Sequence, residues 1–214
     1  MSLTEVQTLF GAVHENGIND FLRAFLTARP RYLFYGSPTF VPTTTVAATS
    51  VPAITFPGVP GGIQFAVVFT IPTVDLNPAT GSGSAPLPPG PGQFTLKTTV
   101  TFALLCGRGG DPQPGTVQVP RGMPLLATLD VLARGTIISM GGSVRLDVTD
   151  VELVDITPDA LESLLECLIR MLLQAVLSNI TIPLNALVAG AVPLVSLVRG
   201  PEIATDQVKL WGNI

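Results

Sequence analysis

A chain of 214 residues can bury a sizeable core without help from disulfides or metals. Only 12% of its residues are charged, about half of the roughly 25% usual in a soluble domain, and the mean hydropathy is +0.53, so apolar surface is in excess. A formal net charge of -4 and a pI near 4.8 speak against a nucleic-acid partner, whose phosphates call for clustered Lys and Arg.

The start, MSLTEVQTLFG, has no basic segment leading into an apolar one, so no secretory signal is expected and a cytoplasmic location is the default. Ser2-Leu3-Thr4-Glu5 fits a capping box, and Leu3, Val6, Phe10 and Val13 follow at helical spacing. Gly11 and Gly17 weaken the continuation. A second helical pattern, Ile18, Phe21, Leu22, Phe25 and Leu26, stops at Arg29-Pro30, and the two patterns together predict one kinked amphipathic helix. Arg23, Arg29 and Arg31 border this segment. Its apolar side fits a protein core or a membrane surface, and core packing is the commoner use of such a pattern.

From Tyr32 the period shifts from about 3.6 towards 2 and the Thr, Val, Ile and Phe content rises, which predicts a sheet. No charged side chain occurs between Arg31 and Asp75, but Pro38, Pro42, Pro52, Pro57 and Pro60 break that stretch, so it is no membrane span. IQFAVVFTI puts Ile63, Phe65, Val67, Phe69 and Ile71 on one face. QFTLKTTVTFAL does the same with Phe94, Leu96, Val100, Phe102 and Leu104, leaving threonines and Lys97 on the other. Between them Asn77 to Gly92, NPATGSGSAPLPPGPG, offers almost nothing to bury and is expected to be mobile or extended. Matching flanking strands favour the tip of a long hairpin over a linker.

GRGGDPQPG, Gly107 to Gly115, marks another break, followed by predicted strands at Thr116 to Val119, Leu125 to Ala133, Thr136 to Met140 and Ser143 to Ile156. In the last of these Val144, Leu146 and Val148 share a face, but the apolar phase resumes at Val151 and Leu153. The extra residue predicts a β-bulge near Thr149 or Asp150. Thr157 as N-cap and Pro158 at the first helical position then open a long helix. Glu162, Glu166, Arg170 and Gln174 recur every four residues and predict one wet line with a Glu166–Arg170 pair. Leucines, Ile169 and Val176 cover most of the rest, a wider apolar arc than the ~100° stripe one neighbouring sheet would occupy. No charge occurs between Arg170 and Arg199, but Pro183 and Pro193 cut this run into pieces too short to span a bilayer. A final strand is predicted from Val208 to Ile214.

Little here carries chemistry. His14 is the single histidine and reads as a helix-end residue, with no metal-ligand companions. Asp147, Asp150, Glu152, Asp155 and Asp159 lack the order of an EF-hand and read as strand-edge and helix-start acids, so no metal site is expected. Gly107-Arg108-Gly109-Gly110 has no Lys-Ser/Thr continuation and is read as a turn, not a phosphate cradle. Ser139 and Ser143 do not form Gly-x-Ser-x-Gly, and hydrolase chemistry is not expected. Cys106 and Cys167 are expected to be free thiols in a reducing compartment, and the Asn179-Ile180-Thr181 sequon is read as chance.

The passage VRLDVTDVELVDITPDALESLLECLIRMLLQAVLSNITIPL, a twisted strand running into a long, widely apolar helix and followed by the terminal VKLWGNI, resembles the tubular lipid-binding (TULIP) superfamily. The resemblance covers the chain as an order of elements, and is closest in kind to signal-less bacterial members associated with toxin gene clusters. It implies an α+β fold in a single domain, residues 1–214, with an N-terminal amphipathic helix and a long, strongly curved antiparallel sheet wrapped around the long helix. It also implies an elongated apolar groove lined by Phe65, Val67, Phe69, Phe94, Phe102, Leu161, Leu164, Leu165, Leu168 and Leu172. A sixteen-carbon acyl chain in such a groove offers on the order of 12 kcal/mol of gross transfer energy. The expected function is therefore non-enzymatic binding of a lipid or other hydrophobic ligand, as carrier or sensor, with no cofactor. The alternative is an accessory subunit that turns its apolar surplus to a protein partner or a second copy. Transient membrane contact is compatible with either.

Overall fold

The computed structural model describes residues 9–41, 43–55, 57–76, 87–106, 125–140, 143–153, 159–183 and 196–213. The Ser2–Glu5 capping box, the Gly107–Gly115 break, the Thr116–Val119 strand and the Thr157–Pro158 helix start lie outside these residues, as does most of the Asn77–Gly92 segment. In chain order the elements are β1 (Leu9–His14), α1 (Glu15–Ala28), a 3-10 turn (Pro30–Tyr32), β2 (Phe34–Gly36), β3 (Thr49–Ser50), β4 (Ile63–Phe69), β5 (Thr73–Leu76) and β6 (Gln93–Cys106). They continue as β7 (Leu125–Met140), β8 (Ser143–Leu153), α2 (Asp159–Ser178), β9 (Thr181–Pro183), β10 (Ser196–Ala204) and β11 (Gln207–Asn213). The protein is α+β and rich in sheet, as expected, and no helix among the described residues is long and apolar enough to cross a membrane.

Two compact units make up the chain, Met1–Asp20 with Thr73–Lys97 and Leu132–Ile214, and Phe21–Pro72 with Thr98–Val131. In the second of these, β4 pairs antiparallel with both β2 and the later half of β6, so that Tyr35, Val67 and Phe102 stand side by side on one face. Phe65 and Phe69 share that face and, with Val100, are buried there. Tyr35 packs edge-on to Phe69, its hydroxyl pushed up to about 12, first by burial and then by Tyr32. The opposite face is covered as well, because Phe40, Val41 and Ala48 pack on Ala66 and Ala103. Gly36 permits this close approach, since a Cβ there would sit 2.7 Å from Val41 Cγ2. Ser37 fastens the covering loop, its hydroxyl accepting from Phe65 N at 2.8 Å.

The first unit contains a three-stranded antiparallel sheet in the order β1-β11-β10. Here the sequence expectation is corrected: residues 9–14 are a strand, not the body of a helix. Their helical spacing is overridden by six residues of antiparallel register with β11, in which Phe10 lies directly opposite Trp211 with ring centroids 5.5 Å apart. Among the described residues only the second helical pattern forms a helix. A second correction concerns β7, which runs unbroken through Arg134-Gly135, where two strands were expected. Gly135 is not a turn residue. The Phe94 ring lies over it, so that a Cβ would meet Phe94 Cζ at 2.6 Å and the Asp147 carbonyl oxygen on its other contact.

In this unit β5 pairs antiparallel with the first residues of β6, from Thr73 opposite Lys97 to Leu76 opposite Phe94. The proline- and glycine-rich Asn77–Gly92 segment therefore joins two hairpin partners, as the matching flanks predicted. In β8 buried and half-buried residues alternate up to Val148, then Thr149 and Asp150 are both half-buried, and alternation resumes at Val151. The phase slip is the one the sequence called for.

Candidate ligand-binding surface

Leu165, Leu168, Ile169, Leu172, Leu173, Val176 and Leu177 form the buried side of α2. The neighbouring polar row is wet only in part, a third correction to the sequence reading: Arg170 is exposed, as expected. Glu162, Glu166 and Gln174 are half-buried, and two of them bond to the backbone of β8. Gln174 Oε1 accepts from Val148 N at 3.0 Å while its Nε2 donates to Asp147 Oδ1 at 2.7 Å, and Glu166 Oε1 accepts from Leu153 N at 3.2 Å. In a regular strand residues five apart direct their amides to opposite edges. The extra residue at Thr149–Asp150 brings both amides to one edge, beyond the Ser143–Arg145 stretch that β9 pairs. Glu166 is occupied in this way, and among the described residues it forms no ion pair with Arg170.

With Glu166 and Gln174 turned to β8, apolar residues of the same helix are left exposed. Leu164 is 51% and Met171 59% exposed, with the free thiol of Cys167 on the surface between them at positions i+3 and i+7. This is the surplus that the width of the apolar arc predicted. Of the residues expected to line a groove, Leu165, Leu168 and Leu172 are on the buried side of α2 and Leu164 on the exposed side. The side chain of Leu161 lies outside the described residues. Phe94 is fully buried over Gly135. In the other unit Phe65, Val67, Phe69 and Phe102 come together on one of the two covered faces described above.

Glu15 and Asn19, one turn apart on α1, use the same device on β5. Asn19 Nδ2 donates to Val74 O and its Oδ1 accepts from Val74 N, both at 2.8 Å, and Glu15 Oε2 accepts from Leu76 N at 2.7 Å. Sequence reading missed both fasteners, because a strand edge that lacks a partner leaves no mark on its own residues. His14 Nδ1 accepts from Asn16 N at 3.1 Å on the surface, in keeping with an ordinary helix-end histidine.

Of the acids noted in sequence, Asp150 is bound by Arg134 at 2.6 Å and Asp147 lies 3.7 Å from Arg145. Glu152, Glu162 and Glu166 bring carboxylate oxygens within 4.8 Å of one another. Burial first, then Glu166 and Glu162, raise the Glu152 carboxyl above the ordinary carboxylate range, whereas the hydrogen bond from Arg134 leads in holding Asp150 below it. The two have opposite linkage. A raised Glu152 stabilises the fold fully below its unfolded pKa, and that contribution is lost as pH rises through the folded value. The Asp150 contribution is present above its unfolded pKa and is lost as pH falls through its depressed folded value. Urea midpoints measured from neutral pH downwards should therefore show Glu152→Gln flattening the change above the ordinary carboxylate range. Asp150→Asn should flatten part of the fall below it. A Glu152→Gln profile parallel to wild type throughout would contradict the assignment.

No family model and no curated protein matches the chain. Among solved structures, that of lipopolysaccharide binding protein aligns with all of this chain at 10% identity and a TM-score of 0.33. This chain spans 41% of that protein's length.

Proposed function

We propose that the protein binds a lipid or other hydrophobic small molecule, as a carrier or sensor and without catalysis. The observation that carries the reading is the two-sided apolar character of α2. Its leucines already fill the side towards β8, yet Leu164 and Met171 remain half or more exposed. Leaving such side chains in water forfeits part of the ~1.5–3 kcal/mol that each gains on full burial, which a bound acyl chain would recover. This is the role implied by the strand-into-helix passage that resembles the TULIP superfamily, in which an apolar groove beside the long helix accepts the ligand.

Native mass spectrometry of the purified protein, followed by solvent extraction, tests the reading. Adducts of lipid mass are expected, and Leu164→Gln with Met171→Gln should reduce their occupancy about tenfold while leaving the urea midpoint within about 0.5 kcal/mol of wild type. Lipid-free protein that forms a stable oligomer through the same two residues would replace the carrier with an accessory subunit.

A further inference from the structure

Ile18, Leu22 and Leu26 take the buried side of α1, but the next stripe round the helix is not buried. Phe21 is 39% exposed and begins an aromatic ladder: its ring lies 5.9 Å from Phe25, and Phe25 stacks on Tyr32 at 5.8 Å with 9° between planes. Two guanidinium groups lie over the ladder. Arg29 Cζ is 4.4 Å from the centre of the Phe25 ring and Arg31 Cζ 5.1 Å from that of Tyr32, with Arg31 Nη2 also donating to the Tyr32 hydroxyl at 3.3 Å. Among the described residues neither arginine has a carboxylate partner. Arg23, on the same helix, is exposed too. Three of the chain's 11 Lys and Arg residues thus fall within one short segment of a protein whose net charge is -4.

A guanidinium resting on a ring is held in place by its face and keeps N–H donors at its rim for an anion. Aromatic rings beside such cations suit the layer where lipid headgroups meet acyl chains, since each has an apolar body and arginine stems reach towards phosphate. Nucleic acid fits poorly, because binding its backbone relies on a longer run of clustered Lys and Arg than the three arginines of this segment supply. A second copy docked face to face would oppose arginine with arginine. We propose that this aromatic and arginine surface docks the protein onto anionic phospholipid bilayers, with Phe21 entering the headgroup layer while Arg29 and Arg31 meet lipid phosphates. The inference goes beyond ligand binding at α2 and does not depend on it.

Flotation of the full chain with phosphatidylcholine vesicles, with and without phosphatidylserine, tests it. Binding is expected only to the phosphatidylserine vesicles and should weaken with salt. Arg29→Gln with Arg31→Gln should lower the partition coefficient about 30-fold, and Phe21→Ser about tenfold, with far-UV circular dichroism and the urea midpoint unchanged. Several results would overturn the proposal: no flotation of wild type with either vesicle, equal flotation with both, or arginine variants that float like wild type. Loss of self-association or of RNA binding in these variants, without loss of flotation, would assign the surface to a second copy or to nucleic acid instead. Ligand occupancy measured by native mass spectrometry on the same preparations keeps this outcome separate from that at α2.

Discussion

Gly135→Val is expected to destabilise the protein by about 3 kcal/mol or more, at the upper end of what overpacking a core costs. The position is inside β7 with no room on either side: Phe94 Cζ would lie 2.6 Å and Cε1 3.0 Å from even a single added carbon, and the Asp147 carbonyl oxygen closer still. The ring can be displaced only at the expense of a fully buried aromatic, and the carbonyl belongs to the backbone of β8. Urea denaturation gives the loss directly. Adding Phe94→Leu to Gly135→Val should recover part of it and no more, because the backbone oxygen stays where it is. A Gly135→Val protein as stable as wild type would mean that Phe94 does not lie over β7.

The second large effect is expected at Asn19. Its carboxamide satisfies both backbone groups of Val74, a fully buried residue, in the manner of a neighbouring strand. Asn19→Leu leaves a donor and an acceptor unpaired, and at ~1–3 kcal/mol for each stranded group the loss should approach 3 kcal/mol. Asn19→Asp should fall between leucine and wild type, since it keeps an acceptor for Val74 N but sets a carboxylate oxygen against Val74 O. Hydrogen exchange at the Val74 and Leu76 amides locates the effect. If both amides stay protected in Asn19→Leu, the helix does not fasten β5.

How much of this was readable beforehand follows the physics of each signal. The sharing of one face by the large apolar residues of β4 and β6, the phase slip at Thr149–Asp150 and the width of the α2 apolar arc all come from side-chain periodicity, which the chain carries locally, and all three correspond to the fold. The failures share a different cause. At Leu9–His14 a helical spacing was outweighed by a partner strand about 200 positions away in sequence, Phe10 lying opposite Trp211. Gly135 fell in a gap between two expected strands because the ring that excludes a side chain there comes from another strand. Glu166 and Gln174 had the look of a solvated row because the amides they bind belong to β8. As for the candidate site, its apolar character was legible, while the exposure of Leu164 and Met171 was concealed by the same mistake about which side of α2 is wet.

Both helices of the described residues use short polar side chains to occupy strand amides that no strand reaches, Asn19 and Glu15 on β5 and Gln174 and Glu166 on β8. A bare edge of this kind is a template on which another molecule of the same chain can stack, and a sequence this poor in charge has few lysines to discourage it. The four fasteners therefore cover amides that would otherwise be open to edge pairing, as well as tying each helix to its strand.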